Sequence, residues 1–217
     1  MAMIPKPERK SVLAGALIAI GALFSIAARP CGNVVQGLCF SVGLFGVLAC
    51  DARLFTGSVL TIRAVWEGRT PLSRVLRSWV GIWAGNLLGA ICVALMAAGT
   101  LFDASYVAQY KAAMPWHELL VRAVLCNVMV CMAVWIANES PFSAYGTVDA
   151  LAACLLPVAC FVTCGFEHSV ADMLYMPLGM LQGSVGVLDG VRVVLLATAG
   201  NVIGGVAFAW MIWEREG

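Results

Sequence analysis

Charge is scarce in this chain. Only 12% of its 217 residues are Asp, Glu, Lys or Arg, where soluble domains carry about 25%. Apolar residues make up 62%, more apolar surface than a soluble protein of this length could hide. The formal net charge is +1, so the chain offers no basic field for nucleic acid and no acidic tail. Histidine is nearly absent too: His117 and His168 are too few and too distant to suggest a zinc site. Nine cysteines are present but none forms a CxxC. Cys39, Cys50, Cys92, Cys126, Cys131, Cys154, Cys160 and Cys164 sit singly in apolar stretches, and only Cys31 lies near a membrane exit. They read as small apolar packing residues, not as disulfides or metal ligands. No cofactor is implied.

What the chain has instead is length of apolar sequence. A bilayer-spanning helix needs roughly 20 mostly apolar residues. Ser11–Ala28 and Asn33–Cys50 are two such runs, the second broken at "DAR" and resumed as "LFTGSVLTI". Ser78–Leu101 and Leu119–Ala137 follow, the latter carrying only Arg122. Ala150–Phe166 breaks at "EHS" and resumes through "VADMLYM", and Val193–Trp213 closes the series. The fold class is therefore all-α integral membrane, with six transmembrane helices of which the second and fifth are interrupted. One domain covers 1–217: a short cytoplasmic tail (1–10), a first repeat (11–101) and a second (119–213). The opening "MAMIPKPERK" lacks a convincing small-x-small cleavage site before polar sequence, so it reads as a tail and not a secretion signal.

Lys6, Arg9 and Lys10 precede the first span, and Arg63, Arg69, Arg74 and Arg77 lie between the second and third. With six spans both groups share a side with the C-terminal "EREG", and the positive-inside rule makes that side cytoplasmic. The protein is expected to be multi-pass in the cytoplasmic membrane with both termini inside, its loops at 29–32, 102–118 and 176–192 facing outward. The tryptophans at 66, 79, 83, 116, 135, 210 and 213 mostly sit near span ends, as interfacial anchors do.

The chain also repeats itself weakly. "AGNLLGA" in the third span matches "AGNVIGG" in the sixth, aligning Asn86 and Gly89 with Asn201 and Gly204. Thr56 and His168 precede these asparagines by similar distances, so each half holds one intact, one interrupted and one Asn-Gly span. Three spans per half invert the second half relative to the first. Paired interruptions at matching positions of inverted halves point to a midplane substrate site.

Each break starts a half-helix whose first amides lack intrahelical partners. Thr56 and Ser58 are expected to cap one, and Ser169 the other. Two such N-termini near one central point suit an anion. His168 is the only midplane group that titrates near neutral pH unperturbed, and it could donate a hydrogen bond or lend a proton. Glu167 is expected to orient polar groups, Asn86 and Asn201 among them. Phe40, Leu44, Leu54, Phe55 and Phe161 surround the breaks, where lipid contact or core packing alone would account for them.

Four linked stretches, "LFTG" (54–57), "AVLCNVMVCMAVW" (123–135), "GFEHSVADM" (165–173) and "AGNVIGG" (199–205), resemble the signatures of the formate/nitrite transporter family, from about residue 33 onward. That resemblance implies an aquaporin-like protomer in a homopentamer, with one pore per protomer passing small monovalent anions such as formate, nitrite or hydrosulfide. It makes Thr56 the threonine of the first break and His168 the central pore histidine. Leu44, Leu54 and Phe55 match the cytoplasmic-side constriction, and Phe40, Phe161 and Val130 the outer one. Lys111 matches a basic residue of the outer vestibule that draws anions in. Glu167, Asn86, Asn127 and Asn201 match the surrounding polar network. The chain departs from the family pattern at Arg53, where an acidic or small polar residue is usual, and at Asp172, where an asparagine is. It also places only residues 1–10 ahead of the first span, where many members carry a longer amphipathic helix.

The function expected is a channel or transporter for small monovalent weak-acid anions, formate first, with proton-linked passage one mode of action. Nitrite or hydrosulfide passage by the same family is the alternative. An aquaporin-like neutral-solute channel is another, although no Asn-Pro-Ala pair marks the breaks. A membrane enzyme built on His168, Glu167 and Asp172 would need more clustered ligands or carboxylates, so the chain is not read as an enzyme. The partners expected are the anion, the lipid bilayer and further copies of the chain.

Overall fold

The computed structural model describes residues 8–138 and 147–213. Lys6 and the C-terminal "EREG" lie outside them, as does the side chain of Cys154. The regular structure of the described residues is helical: α1 (Arg9–Ala27), α2 (Asn33–Ala49), α3 (Phe55–Ser58), α4 (Arg63–Trp66), α5 (Leu72–Ala98), α6 (Ser105–Ala113), α7 (Trp116–Asn138), α8 (Thr147–Thr163), α9 (Ser169–Leu181) and α10 (Val187–Met211). A 3-10 turn over Val59–Ile62 joins α3 to α4. Helices α1, α5, α7 and α10 are each long and apolar enough to cross a membrane, and α2 is a shorter apolar helix.

Glycine sets how closely the long helices meet. A Cβ at Gly89 of α5 would lie 2.0 Å from the Val12 carbonyl oxygen of α1, and one at Gly204 of α10 would lie 2.1 Å from that of Val124 on α7. Any side chain there would push backbone from backbone. In an apolar medium such small-residue seams gain dispersion contact and, with buried amide hydrogen bonds, take the place of hydrophobic collapse. The α1–α5 and α7–α10 pairs are thus built alike, and α9 packs between α1, α5 and α10.

The two breaks share one backbone design. Two residues past the end of α2 stands Asp51 at φ +48, and two past the end of α8 stands Gly165 at φ +66. Ala52 N–H returns to the Val47 carbonyl at 2.8 Å, and Phe166 N–H returns to Phe161 at 2.9 Å. Asp51 and Gly165 N–H bond three residues back, to Leu48 and Val162, at 3.1 and 3.0 Å. This paired pattern is the Schellman termination, which needs one left-handed residue. Glycine adopts that conformation freely; aspartate tolerates it better than most residues. The chain then runs extended to Leu54 and His168, the N-caps of α3 and α9. Leu54, not Thr56, is therefore the counterpart of His168.

The structure corrects several expectations. The stretch 102–118, expected as a loop, contains α6 and the start of α7. The expected loop at 176–192 shrinks because α9 continues through Pro177 to Leu181 and α10 begins at Val187. Proline removes only one donor from a helix, and here the helix absorbs it. Arg192 sits inside α10 because its guanidinium binds the carbonyls of Ala112 and Met114. Helix α5 begins at Leu72, ahead of Ser78. Trp79 is no interfacial anchor: it is buried, with Nε1 donating to the Ser58 carbonyl and Thr61 Oγ1, both at 3.0 Å.

Candidate functional site

The asparagines, not local hydroxyls, satisfy the two half-helices. Asn86 Oδ1 accepts from Phe55 N–H at 2.8 Å, and Asn201 Oδ1 accepts from Ser169 N–H at 2.9 Å. Asn86 Nδ2 donates to the carbonyls of Ser11 and Arg53 at 2.7 and 3.0 Å, and Asn201 Nδ2 to those of Ala123 and Glu167 at 2.8 and 2.9 Å. Each fully buried amide thus ties a long helix, the end of a break and the first turn of a half-helix together. The capping expected of Thr56, Ser58 and Ser169 is not found. Ser58 Oγ turns back to the Leu54 carbonyl at 2.7 Å, and Ser169 Oγ has no partner among the described residues. His168 caps α9 itself, its Nδ1 accepting from Ala171 N–H at 3.1 Å.

Freed from capping, Thr56 meets His168 across the protein: Oγ1 lies 3.1 Å from Nε2, and both residues are buried. Since Nδ1 accepts a backbone N–H, the neutral ring carries its proton on Nε2 and donates it to Thr56 Oγ1. The threonine hydroxyl then keeps its own hydrogen for another acceptor. The ring is clamped by aromatics, stacked on Phe161 at 5.8 Å between centroids and edge-on to Phe40 at 6.3 Å. Thr56 is held from behind, where its carbonyl accepts from Asn127 Nδ2 at 3.2 Å and Cys131 Sγ at 3.5 Å. Asn127 Nδ2 also reaches the Asn201 carbonyl at 2.5 Å.

A cavity of roughly 650 Å³ reaches His168, with Phe40 and Phe161 beside it in the wall, while Thr56 lies outside its lining. Val130, Leu44, Leu54 and Phe55 are buried and do not line it. Lys111 does line it but is only 7% exposed, and its ammonium lies 2.5 Å from Glu167 Oε2 and 2.9 Å from Asp172 Oδ1. Its charge is already compensated within the protein. The Glu167 side chain serves this ion pair, and its backbone carbonyl alone meets Asn201.

The sequence pointed past the two arginines of the cavity. Arg29 lies over the Tyr106 ring at 3.5 Å, and Arg122 donates to the Gly165 carbonyl at 3.0 Å while pairing with Glu118. Arg122 was legible as the one charge in the fourth span; Arg29 carried no signal. Their partners Tyr106 and Tyr110 lie on α6, which read as loop.

Long apolar helices enclosing two capped breaks, and a cavity reaching the buried His168 at one of them, define a multi-pass membrane protein of the transport class. Residues 8–213 match the family described as formate/nitrite transporter. The chain is 31% identical to the formate channel FocA of Escherichia coli strain K12, over 95% of this chain and 86% of that protein. It is 33% identical to a probable formate transporter of Methanothermobacter thermautotrophicus, over 95% and 88%. Among solved structures it resembles an FNT family ion channel, with a TM-score of 0.83 at 26% identity over 93% and 86% of the two chains. A pentameric formate channel with formate bound shares the fold, with a TM-score of 0.77 at 24% identity over 93% and 92%. The chain belongs to the formate/nitrite transporter family.

Proposed function

We propose that this chain is a channel for small monovalent weak-acid anions, formate first among them, and that Thr56 and His168 form its central selectivity site. The observation carrying this reading is the 3.1 Å contact between Thr56 Oγ1 and His168 Nε2 at the starts of two half-helices, each stabilised by a buried asparagine. The threonine hydroxyl hydrogen, left over once His168 Nε2–H is donated to its oxygen, offers an anion a donor that a purely apolar pore would not. Relatives described as formate channels or transporters support formate over other weak acids.

The rest of the reading follows the family. Six spans form an inverted 3+3 repeat with an aquaporin-like protomer, supported by the two matched Schellman breaks and the two matched glycine seams. The chain assembles as a homopentamer in the cytoplasmic membrane with both termini inside, in line with the pentameric relative of the same fold. Leu44, Leu54 and Phe55 form the inner dehydrating ring, and Phe40, Phe161 and Val130 the outer one. Lys111, paired with Glu167 and Asp172, is not a free cation, so Arg29 supplies the exposed positive charge of the vestibule. An anion that crosses the apolar rings sheds water at high cost unless it takes up a proton, which makes passage as the neutral acid the proton-linked route.

The test is formate flux into proteoliposomes across a pH series, for the wild type, His168→Asn and His168→Phe. Both variants should change the rate and its pH dependence, because neither presents an Nε2 proton to Thr56. Wild-type flux and pH profile in both would refute the role of His168. Parallel uptake of nitrite, hydrosulfide, acetate and lactate ranks the substrates, and liposome swelling with glycerol tests the neutral-solute alternative.

A further inference from the structure

At the cavity wall lies a buried ionisable cluster, with Lys111 and Glu167 in the lining and Asp172 behind them. Lys111, Glu167 and Asp172 are 7%, 2% and 0% exposed, and both carboxylates address the same ammonium. Three ionised groups would leave one net negative charge buried beside a site that must admit an anion. Burying an uncompensated carboxylate costs several kcal/mol, and such groups neutralise instead. Among the described residues no second cation pairs with either carboxylate. His168 accepts at Nδ1 and is not an imidazolium. Tyr175 of α9 faces the ammonium across 5.5 Å, Cys126 is the nearby titratable group of α7, and Ser25 faces Tyr175 from α1. Arg192 of α10 is spent on the carbonyls of Ala112 and Met114. No other charged side chain faces Asp172 among the described residues.

The two carboxylates are unequal. Glu167 holds a hydrogen bond from Lys111 at 2.5 Å, while neither oxygen of Asp172 receives a directed hydrogen bond although Oδ1 lies 2.9 Å from Nζ. We infer that Asp172 is a proton-binding site, holding a carboxylic acid proton taken from cavity water, and that an anion in the pore strengthens it. The linkage is electrostatic and reciprocal: negative charge at the Thr56–His168 site favours the protonated acid, and the protonated acid favours the anion. The second half of this inference rests on the proposed anion pathway; the first does not.

Infrared difference spectroscopy on the full chain in lipid, with aspartate carrying a 13C carboxyl, reads the site directly. At neutral pH the wild type should give a protonated carboxylic acid band that shifts with the aspartate label and grows when formate is added. Asp172→Asn should abolish the band completely, and the label assigns it in the wild type even if that variant does not fold. No protonated aspartate band at neutral pH, or one that follows labelled glutamate instead, overturns the proton site. A band unmoved by formate overturns the linkage. Failure of the anion pathway itself appears separately, as absent formate flux in a wild type whose aspartate band is intact.

Discussion

Replacing Asn201 by alanine tests how the His168 half-helix is held. The side chain is fully buried and makes three hydrogen bonds, to Ser169 N–H at 2.9 Å and to the carbonyls of Ala123 and Glu167 at 2.8 and 2.9 Å. Alanine orphans a buried N–H at about 1–3 kcal/mol, loses two interhelical bonds at about 0.6 kcal/mol each, and leaves a void costing about 1 kcal/mol. The total is roughly 3–5 kcal/mol. For a chain of this size that corresponds to a fall in Tm of roughly 6–20 °C. Tryptophan fluorescence of the purified protein reads the transition, since Trp79 is buried. Asn86→Ala removes the matching bonds of the other break and should cost a similar amount of stability. The functional outcomes should differ: Asn201→Ala loosens His168 and alters the pH dependence of formate flux, whereas Asn86→Ala acts first on Leu54. A fall in Tm below about 2 °C for Asn201→Ala would mean that Ser169 N–H finds another acceptor, and would refute the capping argument.

The two left-handed hinge residues should respond in opposite ways. Gly165→Ala places a Cβ at φ +66 and 3.1 Å from the Arg122 guanidinium, and should lower stability by about 1–2 kcal/mol in thermal melts. Asp51→Gly relieves the same conformation at φ +48 and loses only an exposed ion pair with Lys10, so its Tm should hold or rise by a few degrees. Phe161→Ala removes the ring stacked on His168 and part of the cavity wall. Formate flux in proteoliposomes should rise while discrimination against acetate and lactate weakens; unchanged discrimination would show that Phe161 is not a constriction.

The elements that could be read in advance were those whose chemistry is conspicuous against lipid. The asparagines at 86 and 201, the breaks at "DAR" and "EHS", and His168 stand out because polar groups at membrane depth need a reason. The register between the two breaks was not legible. Motif spacing aligns Thr56 with His168, but the alignment that matters is set by the left-handed residue and the N-cap, and nothing in the letters of Asp51 marks it as the equivalent of Gly165. Capping was misjudged for a related reason: local hydroxyls are the usual caps, yet here side chains from distant helices supply the acceptors. Helix α6 escaped because it is neither apolar enough for a span nor bounded by clear signals, and its one buried charge, Lys111, is intelligible only once Glu167 and Asp172 are in place.

The glycine seams carry a mechanical consequence. Where the Gly89 and Gly204 backbones press against the carbonyls of Val12 and Val124, the paired helices have no side-chain layer to shear. Sliding α1 along α5, or α7 along α10, would drive Cα atoms into neighbouring oxygens before any side chain could yield. Each pair behaves as a stiff double beam, so compliance is left to the stretches that lack such seams: the one-turn helices α3 and α4, the extended links at Ala52–Leu54 and Phe166–His168, and the turns between α9 and α10. A labelling pair spanning α1 and α5 should report a fixed distance in every state of the protein, and one spanning a link should not.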